Sequence, residues 1–134
     1  MIQKLNDMVT LRGARWFGTI VVILTVLATG YFTVSALVDP GGLVPGGDGA
    51  AARTYAAYMA ARNLVLAGSM LWLLAARSWR ALALLLAING LVQIADAVIG
   101  GVKHQIPQTL GPAAFAVALL LAAGLLGAAR GVRW

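Results

Sequence analysis

Residues 55–100 read YAAYMAARNLVLAGSMLWLLAARSWRALALLLAINGLVQIADAVIG. Two apolar runs flank the short break Arg77-Ser78-Trp79-Arg80, and each is long enough to cross a hydrocarbon core of about 30 Å as a helix of about 20 residues. A break this short predicts a tight hairpin between antiparallel neighbours. Inside the runs stand one arginine, Arg62, and one aspartate, Asp96. An ionised group at bilayer depth costs roughly 2.5–3.5 kcal/mol on insertion scales. Opposite charges on successive spans therefore predict a buried ion pair, direct or through one intervening residue, or a polar site.

Two further spans flank this hairpin. One begins WFGTIVVILTVLATGYF at Trp16 and ends near Val38, where Asp39-Pro40-Gly41-Gly42 stops it, because proline has no N–H and glycine tolerates a turn. The other runs from about Pro112, placed in a first helical turn, to Ala129. The expected fold is an all-α membrane protein: a four-transmembrane-helix bundle, up-down-up-down, with spans at about 16–38, 55–76, 81–100 and 112–129 in a single domain, 1–134. The first span is too long for a signal peptide and lacks a small-residue cleavage site, so it is expected to stay in the mature protein.

Composition supports the bilayer as solvent. Of the 134 residues 61% are hydrophobic and 10% charged, and the mean hydropathy is +0.89; soluble domains carry about 25% charged residues. There is no cysteine and no glutamate, which removes disulfides and thiolate chemistry. The net charge of +6 comes from bases dispersed at helix ends rather than in a run, so it reads as membrane topology and not as a nucleic-acid surface. Lys4, Arg12, Arg15, Arg77, Arg80, Arg130 and Arg133 fall on one side, and Arg53 and Lys103 on the other. The lysine and arginine bias then puts both termini and the hairpin in the cytoplasm of a multi-pass plasma-membrane protein. Trp16, Trp72, Trp79 and Trp134 gather near the same boundary, as an interfacial belt does.

Depth and helical spacing extend the Arg62/Asp96 site. At 1.5 Å per residue, Arg62 lies about 21 Å from the inner end of its span and Asp96 about 24 Å from the inner end of the next. On the third span Asn89, Gln93 and Asp96 share one face; on the second, Tyr55, Tyr58 or Met59, and Arg62 do, with Asn63 beside Arg62. On the first span Thr25, Thr29 and Thr33 recur every fourth residue, with Thr29 near the depth of Arg62. The expected ligand-binding set is Arg62, Asp96, Gln93, Asn89, Tyr58, Asn63 and Thr29. The plain alternative is structural glue, since Asn, Gln and Thr join membrane helices at around 0.6 kcal/mol per contact and an ion pair can fix helix register.

Other chemistry is thin. His104, the sole histidine, has neither Cys nor Glu to help hold a metal, and a solvated loop histidine is the simpler reading. No metal site and no cofactor are expected. The Gly-rich segment 40–49 has no phosphate-loop pattern; it reads as a flexible loop or a lid over the outer mouth. The last span is dense in Ala and Gly, which suits close helix packing or a homo-oligomer.

Taken in order, these features resemble a family of small four-helix integral membrane proteins of bacteria and fungi, known as a domain of unknown function. The resemblance covers about Gly30 to Gly127. It is carried by the Val38-Asp39-Pro40 turn, by Arg62-Asn63-Leu64-Val65-Leu66-Ala67-Gly68 in the second helix, by Val92-Gln93-Ile94-Ala95-Asp96-Ala97 in the third, and by His104 before the fourth. Asn63 departs from the acidic residue often found after the arginine, which weakens any carried-over charge network. The resemblance implies the fold and an Arg62/Asp96 site; it implies no reaction.

Three functions remain open at this stage. The first is a non-catalytic protein that binds a small apolar ligand or serves as an accessory membrane subunit. The second is a cofactor-free membrane enzyme of isomerase, epoxide-opening or cyclase type, with Asp96 as general acid/base oriented by Arg62, and Tyr58, Asn89 and Gln93 donating hydrogen bonds to a substrate oxygen. The third is a small oligomeric transporter.

Overall fold

A computed structural model describes residues 2–43 and 45–129, with the side chains of residues 2–9 left aside. Lys4 therefore enters by position alone, and Arg130, Arg133 and Trp134 lie outside the described residues. The chain folds into α1 (Ile2–Val38), α2 (Pro40–Leu43), α3 (Ala50–Ala75), α4 (Trp79–Val102) and α5 (Ile106–Ala128). No strand occurs among the described residues. Four helices are long and apolar enough to cross a membrane: Thr10–Val38 within α1, and α3, α4 and α5 entire.

The helices are longer than the apolar runs predict. The first continues back to Ile2, because nothing between residues 2 and 15 breaks a helix except the single Gly13. The second begins at Ala50 rather than 55. The largest correction is at α5, which starts at Ile106 and not at Pro112. Pro107 fills the first-turn position, and Pro112 sits inside the helix. An internal proline removes the N–H that would bond the carbonyl four residues back, here Gln108. Gly100 of α4 lies against that same carbonyl: a Cβ at Gly100 would stand 2.5 Å from the Gln108 oxygen. The proline-freed carbonyl and the missing side chain let α4 and α5 close on each other at this point.

Both tight connections end in the same way. Arg77 and His104 take positive φ, 52° and 55°. Ser78 N–H donates to Leu73 O and Arg77 N–H to Leu74 O; Gln105 N–H donates to Gly100 O and His104 N–H to Gly101 O. These are Schellman closures in which the left-handed position, usually glycine, is held by Arg77 and His104. Arg77→Gly and His104→Gly should therefore each stabilise the fold by about 1 kcal/mol, checked by thermal melting in detergent; a loss of stability would mean that the side chains matter more than the backbone.

Packing is uneven around the bundle. The pair α4–α5 is the most extensive, followed by α1–α3 and α1–α5, while α3 and α4 touch sparingly despite their short hairpin. The spans thus form a ring in the order α3, α1, α5, α4, whose closing edge is the loosest. The large core side chains Val22, Met70, Leu82, Leu86, Leu119 and Leu126 are fully buried. All belong to the half of the molecule that holds the hairpin. In the other half the buried residues are small or polar, among them Ala36, Ala60, Thr33 and Gly100. Arg62 and Asp96 stand on the α3–α4 edge, the loosest of the four.

The described residues 40–43 and 45–49 are folded rather than loose. Asp39 accepts a hydrogen bond from Gly42 N–H at 3.1 Å at the start of α2, and Pro40 and Gly47 are buried. Gln108 Nε2 of α5 donates to Leu43 O at 2.9 Å, which ties the loop to the end of the bundle.

Candidate functional site

The site lies on the edge between α3 and α4. A helical side chain leans toward the N-terminus of its own helix. In an antiparallel pair, Arg62 therefore reaches toward the loop end and Asp96 toward the hairpin end, and the two converge. Arg62 Nη2 stands 3.2 Å from Asp96 Oδ2. The contact uses one nitrogen and one oxygen, not the two-armed fork that arginine can offer a carboxylate. The buried pair expected from opposite charges on successive spans is not found: the Arg62 side chain is 43% exposed and that of Asp96 30%. The loose helix edge is the reason, since few neighbours stand on either side to cover the charges.

Asn89 lies on the same face of α4, nearer the hairpin, and is 3% exposed. Its Nδ2 points at Met70 Sδ of α3, 3.9 Å away. A thioether is a weak acceptor, so this amide is poorly satisfied for a buried group. Between Asn89 and Asp96 sits Gln93, half-buried and without a side-chain hydrogen bond among the described residues. Two of the three α4 polar residues reach α3, so the whole stripe faces the α3–α4 edge. It is a seam closed at one end by Met70 and Asn89 and bridged near the other by Arg62 and Asp96.

The remaining expected residues disperse. Asn63 turns to the opposite side of α3, where its Nδ2 donates to Thr33 Oγ1 of α1 at 3.3 Å. Consecutive residues on a helix point about 100° apart, so Arg62 and Asn63 serve different interfaces. Thr33, not Thr29, is the threonine engaged with α3; Thr29 is half-buried and makes no side-chain hydrogen bond among the described residues. Thr25 bonds its own helix at Val21 O, 2.7 Å. Tyr58 and Tyr55 are 70% and 74% exposed, and neither makes a side-chain hydrogen bond among the described residues. His104 is exposed and its position is explained by its backbone. No group of three or more metal-ligating side chains occurs among the described residues.

Two shallow, apolar grooves lie elsewhere. One is a dent on α3 around Gly68, Ser69 and Trp72, and the other runs between α4 and α5 past Ala97, Ala113 and Ala116. Neither touches Arg62 or Asp96. No family model matches the chain, and no curated protein or solved structure matches it.

Proposed function

We propose that the chain is a multi-pass protein of the plasma membrane, with both termini and the hairpin in the cytoplasm, whose α3–α4 seam binds a small apolar molecule carrying one polar group. The observation that carries this reading is the half-exposed, single-bonded pair Arg62–Asp96 on the loosest edge of the bundle. In lipid, an arginine with unused N–H donors and a carboxylate with a free oxygen are poorly solvated. A polar group on a lipid-borne molecule would satisfy both, and Gln93 would supply a further donor and acceptor along the seam. The apolar remainder would lie against the α3 and α4 side chains that no other helix of the chain covers. The seven-to-two distribution of bases between the two ends supports the orientation.

The accessory-subunit reading has its own support. Helix α3 has the lowest mean hydropathy of the four spans and is the least covered by the rest of the chain. A more polar helix standing bare in lipid suits a partner helix. The enzyme reading gains less, because the only charged group paired with Asp96 among the described residues is Arg62.

Mass spectrometry of small molecules that co-purify with the protein tests the ligand reading. Wild-type protein should retain a defined amphipathic compound, and Arg62→Leu/Asp96→Leu should lose it while keeping its elution volume and helix content. Equal small-molecule content in both proteins would sink the proposal.

A further inference from the structure

The hairpin end of the bundle carries a second feature. Arg15 near the start of the apolar part of α1 lies over Trp79 at the start of α4, with its guanidinium carbon 5.3 Å from the ring centroid. Stacking on an indole fixes the plane of a guanidinium and leaves its N–H edge free for acceptors. The inner nitrogen of this group, Nε, is buried without a hydrogen-bond partner among the described residues.

Arg12 stands one turn before Arg15, and Arg77 and Arg80 bracket Trp79 on the hairpin; all three are exposed. None of the four arginines forms an ion pair among the described residues. Asp39 and Asp48 belong to the opposite end and Asp96 pairs with Arg62. Four guanidinium groups thus stand at one end of the bundle with no carboxylate facing them among the described side chains, which do not include that of Asp7 on α1. Trp16, next to Arg15, is 70% exposed, and bare tryptophans at helix ends sit at the headgroup level of a bilayer. The cluster is therefore held at the height of lipid phosphates.

We propose that Arg15, stacked on Trp79 and flanked by Arg12, Arg77 and Arg80, forms a binding site for a phosphate oxyanion, supplied by the headgroup of an anionic phospholipid. Arginine suits this role because its planar fork meets two phosphate oxygens at once, whereas lysine offers a point charge. Diffuse attraction to an anionic surface would depend only on the number of bases. A built site depends on Arg15 in particular, and on its being arginine. The proposal rests on the membrane reading of the helices but not on the Arg62/Asp96 seam.

The test is a titration of the full-length protein in phosphatidylcholine nanodiscs, read by native mass spectrometry and thermal melting. Phosphatidylglycerol is added in one arm and inorganic phosphate in the other. Phosphatidylglycerol should bind in preference to phosphatidylcholine and raise the melting temperature. Arg15→Gln should weaken its binding about tenfold or more. Arg15→Lys, which keeps the charge, should weaken it nearly as much, and Arg80→Gln several-fold less than either. Stabilisation by inorganic phosphate that is lost in Arg15→Lys would support the oxyanion site and assign it to free phosphate. Absence of any preference for phosphatidylglycerol together with no effect of phosphate would overturn the proposal, as would wild-type binding by a folded Arg15→Lys protein.

Discussion

Asp96→Leu should destabilise the protein by roughly 2.5–3.5 kcal/mol, because it leaves the Arg62 charge unpaired at bilayer depth. Arg62→Leu should do the same by stranding Asp96. The double variant Arg62→Leu/Asp96→Leu should recover most of the loss, since two leucines are compatible with lipid and the strain of a lone charge is gone. Reversible unfolding in mixed micelles, run as a double-mutant cycle, measures all three. The magnitude also reports what surrounds the pair. A solvated ion pair contributes about 0–1 kcal/mol, so single-variant losses below about 1 kcal/mol would place the seam in water. Losses near 3 kcal/mol would place it in lipid or against an apolar ligand.

The second large effect belongs to Gly100. A methyl group there would stand 2.5 Å from Gln108 O, 2.6 Å from Gln108 C and 2.9 Å from Thr109 N. All three are backbone atoms of α5, so no rotamer change relieves the clash and the two helices must part. Overpacking of this kind costs about 1–3 kcal/mol, against a gain of up to about 1 kcal/mol from replacing glycine in a helix. Gly100→Ala should therefore be clearly destabilising, and Gly100→Leu should prevent accumulation of folded protein. Gly124→Ala serves as the control, because nothing lies within 4 Å of a Cβ at Gly124; it should be neutral or slightly stabilising. Equal behaviour of Gly100→Ala and Gly124→Ala in thermal melting would show that the α4–α5 contact does not form as described.

Much of the helix layout was legible in the sequence because lipid permits so few solutions. Predominantly apolar runs at residues 16–38, 55–76 and 81–100 can cross a bilayer only as helices, and Arg77-Ser78-Trp79-Arg80 can only join neighbours. The start of α5 was not legible. Gly111-Pro112 looks like a boundary, yet the helix runs through it, and the residue that makes room for the backbone beside it, Gly100, lies eight residues before Gln108 on another helix. The ring order was hidden for a similar reason: adjacency in sequence brings α3 and α4 together at the hairpin and says nothing about how tightly they pack beyond it.

At the site, spacing of three and four residues correctly groups side chains on one helix. It does not say which neighbour that face meets. Adjacency in depth groups Arg62 with Asn63, but the turn of the helix sends one to α4 and the other to α1. Thr29 matched Arg62 by counting residues from the helix ends, whereas the actual stagger of α1 against α3 brings Thr33 to Asn63. The exposure of the ion pair was equally invisible, because it follows from the weak α3–α4 contact and not from any property of Arg62 or Asp96 alone.

The proposal that joins these observations is a small-molecule site at the α3–α4 seam. A photo-crosslinking side chain placed at position 93 probes the seam directly, between Asn89 and Asp96. After irradiation of intact membranes, the account predicts a covalent adduct of one defined mass, matching the compound that co-purifies with the wild-type protein and absent when Arg62 and Asp96 are both leucine. Cross-links confined to α3, or adducts of bulk phospholipid alone, would contradict it.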